Sequence, residues 1–219
     1  MYRNIRTHRS LQRKTGMTLV EVMVATSVAG MLTAGVFAFF LTNYKIGFVN
    51  QERNRINADL RSLTGQLIRD GRQANYFTLY LSTALDDHDA PGDRLSDSQS
   101  GDLLVFVDSE AADSTLASSE ISRIVCYFRD SGGDDELVPV RRYERTFSPA
   151  TNEDLESLIP DDAVLSGAEE VIEFSKGLAD GHLFYNFWGR SVMVNGQIYH
   201  GNAAKRVTET YNFTISPRG

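Results

Sequence analysis

The sequence predicts an α+β protein, in which one long N-terminal helix is followed by consecutive antiparallel β-strands. From about Thr18 to about Ala74 the residues follow a helical pattern. The rest of the chain holds short segments in which β-branched and aromatic residues alternate with polar ones. Because the helix precedes all the strands, the order favours an α+β fold over alternating helices and strands.

The first part of the helix is apolar enough to cross a membrane. Residues 22–41 carry no charge, and twenty helical residues span about 30 Å, the thickness of the hydrocarbon layer. Residues 1–16 contain no acid and five basic side chains: Arg3, Arg6, Arg9, Arg13 and Lys14. Since a basic flank stays in the cytoplasm, we expect a single-pass membrane protein with a cytoplasmic N-terminus and with its C-terminal domain on the other side of the membrane.

Three interpretations of this segment compete. A secretory signal peptide has a shorter apolar core and a small-residue cleavage site, which is absent near Leu41. A plain signal anchor explains the charges and the length but leaves Gly16 and Glu21 unexplained. The stretch G-M-T-L-V-E, from Gly16 to Glu21, resembles the cleavage and methylation signature of type IV prepilins and pseudopilins. This resemblance accounts for all of these features together.

The resemblance implies a role for three residues. In that family a prepilin peptidase removes the basic leader after the glycine, here between Gly16 and Met17, and the new N-terminal residue, Met17, is N-methylated. Met17 departs from the family's usual phenylalanine but is also large and apolar. Glu21 is the fifth mature residue, and in the family this carboxylate meets the N-terminal amine of a neighbouring subunit during assembly. A charge near a bilayer is generally paired or functional, which agrees with that role.

The helix continues beyond the apolar run. We expect residues 1–16 to be the leader, 17–41 the transmembrane or filament-core helix, and 42–75 an amphipathic continuation. Arg53 interrupts the apolar stripe of this continuation, and Gly71 weakens its end. The stripe consists of Ile46, Val49, Ile56, Leu60, Leu63, Leu67 and Ala74. It predicts the face of the helix that packs on the sheet.

Residues 76–219 are predicted to form a β-rich globular domain, a pilin-like roll. The strand patterns cover residues 103–107, 121–128, 137–147, 182–188 and 206–215. Asn195-Gly196 lies between two further apolar runs and predicts a hairpin with a type I′ turn. Pro139 predicts an edge strand or a bulge. A short helix is expected around residues 154–158.

Composition and motifs argue against several classes of function. Of 22 basic residues five lie in 1–16, so 17 remain against 29 acidic ones, and a net charge near −12 does not favour nucleic-acid binding. Cys126 is the single cysteine, so an internal disulfide is excluded. No zinc-ligand spacing, nucleophile elbow or nucleotide-binding loop is present, and His88, His182 and His200 lie far apart. The chain is therefore not expected to be an enzyme.

We expect no cofactor, with calcium as an alternative. Two acidic clusters offer the oxygen ligands that calcium prefers, but neither follows a known ligand spacing, so solvated loops are the default. The clusters are Asp86, Asp87, Asp89 and Asp93, and Asp134, Asp135 and Glu136.

A second, more local resemblance concerns the end of the helix. Residues 63–75, L-T-G-Q-L-I-R-D-G-R-Q-A-N, resemble the corresponding region of J-type minor pseudopilins and PilW-type minor pilins. This implies a filament subunit in a priming or tip complex of a type II secretion or type IV pilus system. Its partners would be the prepilin peptidase, other minor and major subunits, the inner-membrane assembly platform, and the membrane before assembly. A signal-anchored periplasmic binding or enzymatic domain is the alternative.

Overall fold

A computed structural model describes residues 16–109, 120–130, 137–202 and 205–217. It confirms the α+β prediction: the long helix α1, Leu19–Gln73, precedes antiparallel sheets. The chain divides into two compact units, Met1–Phe48 and Val49–Gly219. Helix α1 contributes to both units.

The unit Val49–Gly219 contains two antiparallel five-stranded sheets. The helices and strands after α1 are β1 (Tyr76–Tyr80), β2 (Ser100–Gly101), β3 (Leu103–Ser109), β4 (Ile121–Arg129), β5 (Val138–Thr151), α2 (Leu155–Leu158), α3 (Asp162–Leu165), β6 (Glu169–Phe174), β7 (Lys176–Gly177), β8 (Phe184–Phe187), β9 (Ser191–Asn202) and β10 (Lys205–Ile215). In the first sheet the order is β1-β3-β4-β5-β6, and in the second it is β10-β9-β8-β2, with β7 paired to β9.

Strand β3 of the first sheet is buried on both faces. Leu104 and Phe106 of β3 join a cluster with α1 and the second sheet, whereas Leu103 and Val105 face a second cluster that includes Leu155 of α2. This two-sided burial explains why residues 103–107 form a continuous apolar run, since both faces of the strand must be apolar. The short helix expected around residues 154–158 is therefore part of the core.

The C-terminal half of α1 buries most of the predicted stripe. Ile56, Leu63, Leu67 and Ala74 are almost completely buried, and Val49 and Leu60 pack partly against the same cluster. Ile46 is exposed, so its inclusion in the stripe was wrong. It lies in the other unit, where the helix has no face that packs on a sheet.

Three residues that the pattern did not assign to this face, Glu52, Asp70 and Gly71, are also buried on α1. Gly71 does more than weaken the helix end. A Cβ atom there would collide with Ile215 of β10, so the missing side chain allows the close approach of this strand.

The predicted hairpin at Asn195-Gly196 is wrong. Strand β9 runs through both residues, and Gly196 pairs with Tyr211 of β10. A Cβ atom at Gly196 would lie 2.7 Å from the Phe174 ring and 2.8 Å from Leu183, so glycine is needed here for close packing. Strands β9 and β10 pair in antiparallel register from Asn202 with Lys205 to Val192 with Ile215 instead.

Pro139 does not lie on an edge strand, because β5 is paired on both sides, with β4 and with β6. The irregularity expected near this residue lies one residue later, where the register with β6 shifts between Val140 and Arg141. The patterns at residues 103–107, 121–128, 137–147 and 206–215 correspond to β3, β4, β5 and β10, while 182–188 shortens to β8. Strands β1, β2, β6 and β7 were missed.

Candidate functional site

The start of α1 is closed by a capping box between Thr18 and Glu21. The Thr18 backbone N–H and its hydroxyl donate to Glu21 Oε2 at 2.8 and 3.0 Å, and the Glu21 N–H donates to Thr18 Oγ1 at 3.3 Å. Each side chain thus satisfies a backbone group that the helix leaves without a partner. The carboxylate of Glu21 is consequently held in the first turn, at the positive end of the helix dipole.

The expected cleavage bond lies just outside this box. Gly16 and Met17 precede the first helical residue, and both are exposed, with Met17 at 76%. A Cβ atom at Gly16 would meet nothing within 4 Å. The backbone around this bond is therefore accessible, as a peptidase substrate must be. The basic residues predicted for the leader, from Arg3 to Lys14, lie outside the described residues.

The N-terminal half of α1 has no buried face. Every residue from 16 to 47 is exposed, and by length and composition this helix can cross a membrane. The large apolar side chains exposed here are Met17, Leu19, Val20, Val22, Met23, Val24, Val28, Met31, Leu32, Val36, Phe37, Phe39, Phe40, Leu41, Tyr44 and Ile46. A helix that is apolar all round is normally surrounded by protein or lipid, so this surface requires a partner outside its own unit.

The polar side chains of this half bond to their own helix. The hydroxyl of Thr26 donates to Val22 O at 2.9 Å, that of Thr33 to Ala29 O at 2.8 Å, and that of Thr42 to Ala38 O at 2.9 Å. Ser27 and Asn43 do the same with Met23 O and Phe39 O. Such internal bonds allow hydroxyl and amide groups to enter an apolar medium without an unsatisfied donor.

A buried charge network fastens the C-terminal half of α1 to the first sheet. Asp70 is completely buried and accepts hydrogen bonds from Arg123 of β4 at 2.8 Å, from Tyr127 of β4 at 2.6 Å and from Arg142 of β5 at 2.8 Å. Glu144 pairs with both arginines, at 2.7 and 2.6 Å. Two carboxylates thus face two guanidinium groups, and the network leaves no buried charge without a partner.

These contacts shift the ionisation of the network. Burial alone would raise the pKa of Asp70, but hydrogen bonds from Arg142, Tyr127 and Arg123 outweigh it and lower that pKa. Burial would also raise the pKa of Glu144, but the hydrogen bonds from Arg123 and Arg142 outweigh it and lower that pKa. Burial and the bond to Asp70 raise the pKa of Tyr127. The charged form of Asp70 is therefore the form that the fold stabilises.

A second network holds α2 against β1. Tyr80 donates to Glu156 Oε1 at 2.7 Å, and Arg94 forms a bidentate pair with the same carboxylate at 2.6 and 2.9 Å. Burial acts to raise the pKa of Glu156, and the bonds from Arg94 and Tyr80 lower it overall. This network fixes part of the long loop between β1 and β2.

The structure does not assemble the acidic clusters into a metal centre within the described residues. No three His, Cys, Asp or Glu side chains come together there as a metal-ligand group. Asp87 accepts a bond from Ser82, and Asp93 from the N–H of Ala90. The second predicted cluster, Asp134, Asp135 and Glu136, lies outside the described residues. Calcium binding stays an untested alternative.

The remaining candidate side chains have separate environments. His182 Nδ1 lies 3.0 Å from Asp102, His200 lies 3.5 Å from both Glu52 and Asp59, and His88 is buried. Burial raises the pKa of Cys126 to about 12, so its thiol is unreactive in the folded protein.

The sequence contained signals for two features that were missed. Thr18 and Glu21 have the T-x-x-E spacing of a capping box. Asp70 follows Leu67 by three residues and Leu63 by seven, which places a carboxylate on the apolar stripe. A charge at such a position indicates a buried partner. The arginines that supply it are far away in the sequence, and no local pattern identifies them.

Comparison with known proteins agrees with the geometry at the start of α1. Residues 11–37 match the prokaryotic N-terminal methylation motif. Searches of curated proteins and of solved structures found no match to this chain. The matched segment includes Gly16, Met17 and Glu21, and it supports a type IV prepilin-like protein. The chain thus carries the N-terminal methylation motif of type IV prepilin-like proteins ahead of a β-rich unit.

Proposed function

We propose that this chain is a minor pilin or pseudopilin subunit that assembles through its N-terminal helix into a periplasmic or surface filament. The observation that carries the proposal is the surface of residues 22–41 of α1, all of which are exposed and none of which is charged. In the inner membrane lipid covers this surface. In a filament the helices of neighbouring subunits cover it, so assembly exchanges one apolar environment for another.

Processing precedes assembly in this account. The prepilin peptidase cuts between Gly16 and Met17 and removes the basic leader, and Met17 is then N-methylated. The motif match and the exposed, non-helical backbone at this bond support this step. A structural subunit also fits the motif better than an enzyme. The partners are then the other minor and major subunits and the inner-membrane assembly platform.

Glu21 has two separable roles in the proposal. Its carboxylate oxygen caps α1 through Thr18, and its charge attracts the Met17 amine of a neighbouring subunit in a medium of low dielectric constant. A glutamine can take part in a capping box, but it carries no charge. Glu21→Gln therefore removes the charge and keeps the cap, whereas Thr18→Ala weakens the cap and keeps the charge.

We place the subunit in a priming or tip complex. The resemblance of residues 63–75 to J-type pseudopilins and PilW-type minor pilins supports this position. In the structure these residues hold Asp70, which joins α1 to β4 and β5. A type II secretion system and a type IV pilus are both compatible with such a subunit.

The experiment compares Glu21→Gln, Glu21→Val and Thr18→Ala in cells that contain the assembly system. We expect all three proteins to be processed and to reside in the inner membrane. Glu21→Gln and Glu21→Val should be absent from sheared filaments and from crosslinks to other subunits, because the counter-charge is lost. Thr18→Ala should still be incorporated. Normal crosslinks and normal secretion or piliation with Glu21→Gln would show that the charge does not recruit this subunit.

A further inference from the structure

The turn between β8 and β9 places a tryptophan in a conformation that few residues adopt. Trp188 has φ +57° and Gly189 has φ +63°, and Arg190 N donates to Phe187 O at 3.3 Å. Positive φ at both central residues of a hydrogen-bonded turn is the signature of type I′, whose first central position normally holds asparagine or glycine. For a bulky residue such as tryptophan this conformation is a strained outlier.

Packing within the protein does not explain why Trp188 occupies this turn. The indole is 65% exposed, and the neighbouring Phe187 is 50% exposed. The turn is nevertheless held firmly: Asn186 Oδ1 accepts from Gly189 N at 2.9 Å, and Asn186 Nδ2 donates to Leu95 O at 3.3 Å. Backbone strain that the surroundings enforce is typical of binding sites. Here it maintains an exposed aromatic face.

An open cleft lies beside this face. Its volume is about 630 Å³, and its lining consists of Asp97, Phe187, Trp188, Arg190 and Ser191. Pockets of several hundred Å³ with an aromatic wall and a few polar groups are typical of ligand sites. Asp97 and Arg190 are exposed, and within the described part of the chain neither side chain forms a hydrogen bond or an ion pair. The cleft therefore offers a free acceptor and a free donor.

We propose that this cleft binds a neutral oligosaccharide, with one sugar ring stacked on the indole of Trp188. The C–H face of the ring would cover the indole, and its hydroxyl groups would donate to the Asp97 carboxylate and accept from the Arg190 guanidinium. Because the two charges cancel, the cleft does not favour a strongly charged ligand. A wholly apolar ligand would desolvate Asp97 and Arg190 without giving them partners. The site is independent of the assembly helix.

The sequence provides a direct probe, since Trp188 is the single tryptophan of the chain. The full-length protein is kept in a zwitterionic detergent without a sugar headgroup, and maltohexaose, cellohexaose and chitohexaose are titrated separately. We expect a saturable change in tryptophan emission with at least one of them. Asp97→Asn and Arg190→Gln should weaken that binding by about tenfold each. Arg61→Gln, on an exposed position of α1, is the charge-matched control and should leave it unchanged.

A second variant separates binding from folding. Trp188→Asn should raise the melting temperature by a few degrees, since asparagine suits a type I′ turn. It should also abolish saccharide binding measured by calorimetry. No saturable signal with any of the three saccharides would overturn the proposal. So would a Trp188→Asn protein that still binds them.

Discussion

The polar side chains in the two halves of α1 have different sources of hydrogen-bond partners. In the N-terminal half, Thr26 and Thr33 donate to carbonyls of their own helix, and every side chain from residue 16 to residue 47 is exposed. In the C-terminal half, Asp70 is buried and receives its hydrogen bonds from residues of the first sheet, Arg123 and Arg142. The N-terminal half therefore satisfies its hydroxyl groups within the helix and leaves only its apolar surface to be covered. The C-terminal half depends on hydrogen bonds from other elements of its own unit.

This difference separates the consequences of substitution. Changes in the N-terminal half should alter where the protein resides and what it assembles with, and they should leave the β-rich unit folded. Changes in the C-terminal half should destabilise that unit and leave membrane insertion unaffected. Four experiments test this division.

The largest effect is expected for Asp70→Asn. The amide cannot balance Arg123 and Arg142, and removal of one partner from a buried ion pair costs about 3–5 kcal/mol. Urea unfolding of the full-length protein in detergent, followed by circular dichroism or by labelling of the buried Cys126 thiol, measures the loss. Arg61→Ala, which removes an exposed charge from α1, is the control and should change stability by less than about 0.5 kcal/mol. A similar loss in both variants would contradict the specific role of Asp70.

A second, smaller effect concerns pH. The pKa values of Asp70, Glu144 and Glu156 are lowered in the folded protein, so these groups bind protons more readily when the chain unfolds. Their stabilisation is complete above the ordinary carboxyl pKa of about 4, and it is lost as the pH falls through the lower folded-state values. We expect the melting temperature to fall between pH 6 and pH 3, and to fall less steeply in Asp70→Asn. Identical slopes in the two proteins would exclude Asp70 as a source of the acid sensitivity.

Glycine-to-alanine substitutions compare the halves directly. Gly71→Ala forces Ile215 to move and should destabilise the β-rich unit by about 1 kcal/mol. Gly65→Ala, on the same half of α1 but facing open space, should stabilise it by about 0.5–1 kcal/mol. Gly30→Ala also faces open space and should leave that unit unchanged. The urea midpoints of the three variants, each compared with that of the unsubstituted protein, rank these effects on stability. If Gly65→Ala also destabilised the unit, the close contact with Ile215 would not be what distinguishes Gly71.

The smallest effect is expected for Thr33→Val. The substitution removes only the bond to Ala29 O, and the new methyl group enters an apolar environment. The unfolding free energy of the β-rich unit should change by less than about 0.5 kcal/mol. Membrane fractionation should show unchanged insertion. A loss of stability as large as that of Gly71→Ala would mean that the two halves are not independent.

The same contrast explains what the sequence could predict. The N-terminal half was predictable because its signals are local: an uncharged run of the right length, Gly16 before it, and Glu21 at a fixed distance. The strands with strong alternation were also predictable. Asp70 was not, because its partners Arg123 and Arg142 lie 53 and 72 residues away and no periodicity connects them.

The turns show the limit of local signals most clearly. Asn195-Gly196 has the best turn composition in the chain, yet it lies inside β9, because Phe174 and Leu183 need the space above Gly196. A turn with positive φ at both central residues occurs at Trp188-Gly189, where tryptophan gives no such signal. In the first case tertiary packing overrides propensity. In the second, propensity is overridden at an exposed aromatic cleft, which is the reason to look there for a ligand.

The central claim, that this chain is a processed filament subunit, is tested most directly by the mass of its mature N-terminal peptide. The protein is purified from membranes of cells with and without the prepilin peptidase. The account predicts that with the peptidase the chain begins at Met17 and carries one methyl group on its amine, and that without the peptidase it retains residues 1–16. An N-terminus at Met1 in both cells, or a chain cut after Leu41, would contradict it.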